Sequence, residues 1–94
     1  MIFNVPAGRR SPSQWCVQKF LDGHGLISLD VGTWLRSTNI KKIRELKTRY
    51  LVRTKSGSKY ELWKNRETIA GCLGNPYFQV NEPLLIKEIV NEYK

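Results

Sequence analysis

The sequence predicts an α+β domain: a small, strongly twisted antiparallel sheet of four or five strands packed with an N-terminal and a C-terminal helix. Three observations predict it. Residues 49 to 64, RYLVRTKSGSKYELWK, alternate apolar and cationic side chains around a Ser-Gly-Ser centre, as a β-hairpin does. Residues 11 to 23, SPSQWCVQKFLDG, carry helix start and stop signals. Residues 81 to 94, NEPLLIKEIVNEYK, space their apolar residues as a helix does, behind a capping Asn. Such a sheet has two curled forms open to it, an SH3-like or an OB-like open barrel. The 94 residues fit one domain, 1–94.

Residues 1 to 5 are β-prone and end at Pro6, and a loop follows. In the first helix Ser11 is the N-cap, Pro12 takes the first helical position and Gln14 completes a capping box. Trp15, Cys16 and Phe20, with Val17 and Leu21, make its apolar face, and Gly23 ends it. Ile27, Leu29 and Val31 alternate with Ser28 and Asp30, which reads as a strand between two glycines. Residues 33 to 46 are ambiguous. Ile40, Ile43 and Leu46 recur every three residues, whereas Thr33, Trp34, Thr38 and Ile40 favour β structure. A strand through about Ile43, with room for a bulge, is preferred because the next hairpin needs a partner.

The hairpin sets its own register. A three-residue loop, Lys55-Ser56-Gly57, with Gly57 at positive φ in a G1 bulge, places Val52 opposite Tyr60 and Tyr50 opposite Leu62. Those four share the core face; Arg49, Leu51, Arg53, Lys59, Glu61 and Trp63 share the other. A loop one residue longer would set Val52 against Glu61 and spoil the apolar side. A short helical turn before Gly74, a strand at residues 77 to 80 and the C-terminal helix complete the chain. In that last helix Asn81 is the cap, Pro83 lies in the first turn, and Leu85, Ile86, Ile89, Val90 and Tyr93 form the stripe. The expected core is Trp15, Phe20, Tyr50, Val52, Tyr60, Leu62, Ile86 and Ile89.

The net charge of +8 points to an anionic partner. Residues 36 to 66 hold eleven Lys or Arg against two acids, a net of +9, so the rest of the chain nets −1. The hairpin's second face sets Arg53 across from or diagonal to Lys59, which a merely solvated face would avoid. Trp63 stands among these cations, able to stack on a base or to lie under an arginine. Lys41, Lys42, Arg44 and Lys47 enlarge the patch whether their segment is helical or extended. The expected nucleic-acid-binding set is Lys41, Lys42, Arg44, Lys47, Arg49, Arg53, Lys55, Lys59 and Trp63. Arg9 and Arg10, in a loop before a helix N-terminus, form a secondary anion site.

Other chemistries find little support. No apolar run approaches the roughly 18 residues of a membrane span, and apolar residues precede the two N-terminal arginines, the reverse of a secretory signal. Cys16 and Cys72 are too few for a disulfide scaffold and are expected as reduced, packed thiols, so a soluble cytoplasmic protein is predicted. His24 is the single histidine, and no Cys-x-x-Cys or His-x-x-x-His spacing occurs; no metal or cofactor is expected. Cys16 and His24 lie eight residues apart with no third orienting group. GCLGN, residues 71 to 75, lacks the Lys-Ser/Thr ending of a phosphate loop. No enzyme is expected.

What remains is a non-enzymatic nucleic-acid-binding module that contacts a DNA or RNA backbone with weak sequence preference and strong salt dependence. One alternative is a protein-interaction factor, a small inhibitor or adaptor of the kind phages and mobile elements carry, docking an acidic protein or its nucleic-acid channel with Trp63 as anchor. Another is a binder of a small phosphorylated ligand held between subunits.

Residues 40 to 89 also resemble LytTR-type DNA-binding domains. The run IKKIRELKTRYLVRTKSGSKYEL, followed by YFQVNEPLLIKEI, matches that family's isoleucine-rich strand, its Y-x-V-x-T-x-x-G-x-x-Y hairpin and its aromatic strand. The family's His-Arg-Ser element is missing; the matching positions read Asn81-Glu82-Pro83. The resemblance implies β-rich nucleic-acid binding and assigns no individual residues.

Overall fold

The structure, a computed structural model, describes residues 9–30, 32–68 and 83–94. Five strands follow one another as a meander: β1 (Gln14–Phe20), β2 (Gly23–Asp30), β3 (Thr33–Glu45), β4 (Arg49–Thr54) and β5 (Lys59–Trp63). A two-residue β6 (Pro83–Leu84) pairs with β1, so the order across the sheet is β5-β4-β3-β2-β1-β6. Every neighbouring pair is antiparallel. Among the described residues the remaining regular elements are three short 3-10 turns, Lys64–Arg66, Ile86–Glu88 and Val90–Tyr93.

The α+β expectation is therefore wrong: among the described residues the fold is nearly all β, and neither terminal helix forms. The first of them is strand β1. Its capping signals are present, but burial decides otherwise. Trp15 and Val17 point into the main core, while Cys16 and Gln18 are buried on the opposite face. A strand covered on both faces shows an unbroken apolar run with no period of two, and such a run is easily taken for a broad helical face. The C-terminal helix is replaced by β6 and two successive 3-10 turns. Most of the expected stripe stays on the core side, because residues three apart share a side in 3-10 turns. Ile86, Ile89 and Val90 are buried and Tyr93 packs beside them. Two carboxylates set the start of these turns. Glu67 Oε2 accepts the Ile86 N–H at 2.8 Å, and Glu88 Oε2 accepts the Leu85 N–H at 2.6 Å.

Strand β3 is the spine of the sheet. Drawn out straight, its 13 residues would span about 43 Å, beyond the 33 Å long axis of the molecule. It fits by bending at two irregularities, one opposite Gly25 and Ile27 of β2 and one between Ile40 and Lys42. Its front half pairs with β2 and its back half with β4. The preference for a bulged strand here is borne out, and the strand runs on to Glu45.

The two ends of the sheet are tied by parallel bridges. Arg10 N–H donates to Lys59 O at 2.9 Å and Glu61 N–H donates to Arg10 O at 2.7 Å. Farther along, Thr68 N–H donates to Trp15 O at 2.8 Å, and the Trp15 indole N–H donates to Trp63 O at 2.9 Å. The curled sheet encloses one apolar cluster built from Trp15, Val17, Leu26, Ile40, Ile43, Tyr50, Val52, Tyr60 and Leu62, with Ile86, Ile89 and Val90 from the tail. All eight expected core residues lie in or against a core; Phe20 is only half-buried and joins a second cluster with Cys16, Ile27 and Trp34. The Phe20 ring lies against Gly25, where any Cβ would collide with it, and Arg36 stacks on the same ring at 3.7 Å.

The hairpin register is as expected. Val52 pairs with Tyr60, Tyr50 with Leu62 and Arg53 with Lys59. Gly57 N–H donates to Thr54 O, Thr54 N–H donates to Ser58 O, and Gly57 has φ +92°, the turn geometry that a G1 bulge requires. A 3-10 turn, Lys64–Arg66, follows β5, and the helical turn expected before Gly74 lies largely outside the described residues. The expected strands at residues 1 to 5 and 77 to 80 lie outside the described residues.

Cys16 is disulfide-bonded, which overturns the expectation of a reduced thiol there; Cys72 lies outside the described residues. No helix among the described residues is long and apolar enough to cross a membrane.

Candidate functional site

The back half of β3, with β4 and β5, forms a three-stranded panel whose inner face is the core. Its outer face is read directly from the pairing. One row runs Lys42, Arg53, Lys59; the next runs Arg44, Leu51, Glu61; the last joins Arg49 to Trp63. The first row is three like charges across adjacent strands, an arrangement that opposes folding by a few tenths of a kcal/mol per pair. Lys42, Arg44, Arg53 and Lys59 are all exposed, whereas Leu51 and Glu61 are half-buried between them.

A shallow groove of about 220 Å³ crosses this face, lined by Arg9, Lys42, Arg44, Leu51, Val52, Arg53 and Lys59. Five of its seven lining residues are cations and none is an acid. Leu51 gives it an apolar floor. A second hollow of about 620 Å³ lies around the β3–β4 turn, lined by Lys42, Ile43, Arg44, Glu45, Leu46, Lys47, Lys64 and Lys94. Lys42 and Arg44 line both.

Two cations near the face are engaged by acids. Arg49 Nε lies 2.8 Å from Glu61 Oε2 without hydrogen-bond alignment, an ionic contact, and its guanidinium lies 5.2 Å from the Trp63 ring centroid. Lys64 Nζ donates to Glu45 Oε2 at 2.8 Å and sits 5.0 Å from the Tyr50 ring centroid. That hydrogen bond holds the Glu45 carboxyl below the usual carboxylate range and raises Lys64. Burial, aided by the Glu45 charge, pushes the Tyr50 hydroxyl up. Tyr50 faces the core and is 5 % exposed, so it offers no ring to a ligand.

The expected site residues divide as follows. Lys42, Arg44, Arg53 and Lys59 meet in the groove and Lys47 in the adjoining hollow. Lys41 is exposed at the β3 irregularity, and Lys55 is exposed at the hairpin tip, where its N–H donates to Asn39 O. Arg49 and Trp63 stand at the margin, paired with each other. The secondary site fails as conceived, because residues 14 to 20 are a strand and present no helix N-terminus. Its parts are reassigned: Arg10 is half-buried against β5, while Arg9 joins the main groove. Sequence reasoning missed Lys64 and Lys94 as neighbours of the patch. Lys64 directly follows β5 and bonds through its N–H to Thr48 O, whereas Lys94 and Arg9 are brought there by contacts of long sequence separation.

The other reactive side chains are committed elsewhere. His24 is 9 % exposed, and its Nδ1 shares a 2.8 Å hydrogen bond with the Tyr93 hydroxyl. Cys16, in its disulfide, is no nucleophile. Among the described residues no three His, Cys, Asp or Glu side chains gather as a metal site would require. No family model, curated protein or solved structure matches the chain, so the LytTR resemblance gains no support from comparison.

Proposed function

We propose that this chain is a non-enzymatic nucleic-acid-binding module whose contact surface is the outer face of β3, β4 and β5. One observation carries the reading: a groove with Arg9, Lys42, Arg44, Arg53 and Lys59 on its walls and no acid among its lining residues. Like charges placed in one cross-strand row oppose folding, and they become favourable when phosphates lie over them. Backbone contact of this kind reads little sequence.

The test is binding of DNA and of RNA at low and at raised salt. Each phosphate contact contributes about −0.9 to the slope of log affinity on log salt, so Arg53→Ala with Lys59→Ala is expected to flatten the slope by about two. No binding at low salt, or binding that ignores this double substitution, ends the proposal. Copurification of one stoichiometric acidic protein that survives nuclease treatment would favour the interaction-factor alternative. A cytoplasmic location belongs to this reading only as a proposal, and the disulfide at Cys16 weighs against it, because such bonds persist in oxidising compartments. Mass spectrometry of protein extracted under alkylating conditions decides that point.

A further inference from the structure

We infer that the ligand of this face is a nucleic-acid duplex held by both of its phosphate backbones, and not a single strand; the inference rests on the nucleic-acid reading above. Two independent observations lead there. The first concerns aromatic rings. Proteins that hold single strands combine cations with aromatic platforms on which unpaired bases stack, each worth about 1–3 kcal/mol. Here Tyr50 and Tyr60, each 5 % exposed, face inward. Among the described residues Trp63 is the one aromatic on the outer face, and it is half-buried, outside the groove lining and beneath Arg49. The groove floor is Leu51, which gives a base no π-face. A duplex needs no such platform, because its bases already stack on one another and it presents phosphates alone.

The second observation is the layout of charge. Lys42 and Arg44 line both the groove and the hollow around the β3–β4 turn, the latter also holding the Glu45–Lys64 ion pair. Arg9, Arg53 and Lys59 join them in the groove, and Lys47 and Lys94 join them in the hollow. One track of cations would serve one backbone. Two sets of cations that share Lys42 and Arg44 suit the two backbones that border a groove.

The test is fluorescence anisotropy of the full chain with a labelled DNA duplex of about 20 base pairs, one of its strands alone, and the RNA duplex of the same sequence, at about 50 and 200 mM salt. At least one duplex is expected to bind about fivefold or more tighter than the single strand, and the DNA and RNA arms show which. Lys47→Ala with Lys94→Ala is expected to reduce the salt slope for that duplex by about two. A smaller preference, or single-strand binding as tight as duplex binding, overturns the duplex inference and leaves nucleic-acid binding standing. An unchanged slope in the double variant, with an unchanged far-ultraviolet circular dichroism spectrum, overturns the two-backbone footprint. No binding of any of the three probes at the lower salt overturns the function itself.

Discussion

The two halves of the sheet are built from similar strands and live under different rules. In the β3–β5 panel each strand has one face in the core and one in water, so Tyr50 and Val52 are buried while Arg53 between Val52 and Thr54 is exposed. In the β1–β2 half both faces are covered. Trp15, Cys16, Val17 and Gln18 are buried in succession, as are residues 24 to 28. A face that is needed for packing cannot also be a ligand surface. The outer side chains of the panel are claimed by no core, unlike those of the doubly covered half.

Substitutions can break or sharpen this contrast, and the largest effects belong to the doubly covered half. Trp15→Ala removes the largest fully buried side chain, its T-shaped contact with Tyr50 and the indole N–H bond to Trp63 O; about 3–5 kcal/mol of stability should be lost. Ile27→Ala tests the second face directly. It should cost about 2–4 kcal/mol, a fall of roughly 10 °C or more in Tm, although its side chain points away from the main cluster. A loss below about 1 kcal/mol would mean that this face is not a core.

Smaller effects sharpen the picture. Gln18 is 2 % exposed, and among the described residues neither of its amide atoms has a hydrogen-bond partner. Replacing a buried unpaired amide by an apolar isostere is favourable, so Gln18→Leu should raise Tm by a few degrees, about 1 kcal/mol. Glu67 links the halves to the tail. Burial raises its carboxyl above the ordinary 4.5, against the Ile86 N–H that lowers it. A raised folded value means that the protonated form is favoured on folding. That contribution is complete below about 4.5 and is lost as pH rises through the higher folded value. Glu67→Gln keeps an acceptor for Ile86 and removes the charge. The variant should therefore gain slightly on the wild type at neutral pH and match it near pH 4, as followed by thermal melts at both values. Smallest of all, Arg53→Ala with Lys59→Ala should leave Tm unchanged or slightly raised, by at most about 0.5 kcal/mol, even as it weakens binding. A marked loss of stability would show that the outer face is structural.

The same contrast explains what could be read in advance. On the panel, period-two alternation and Gly57 fixed the register, both faces and most of the candidate site. In the other half, burial on both sides erased the alternation in β1, and Ser11, Pro12 and Gln14 then supplied helix signals that nothing contradicted locally. The tail shows an intermediate case. Its buried side was legible from the spacing of Ile86, Ile89 and Val90, but its conformation depends on bonds from Glu67, 19 residues away, and on pairing of β6 with β1. Arg9 could be read only as a separate anion site and Lys94 not at all, because contacts of long sequence separation, and not sequence proximity, bring them to the patch.

The joining of the tail to the core has a bearing on synthesis. Ile86, Ile89 and Val90 share one cluster with Trp15 and Val17. A chain emerging from the ribosome exposes all five meander strands while those plugs are still unmade, and the ends of the sheet meet only through contacts of high sequence separation. The native core can close only after residue 90 has left the exit tunnel. Until then the cationic panel exists without its finished interior, its core-facing side chains still uncovered.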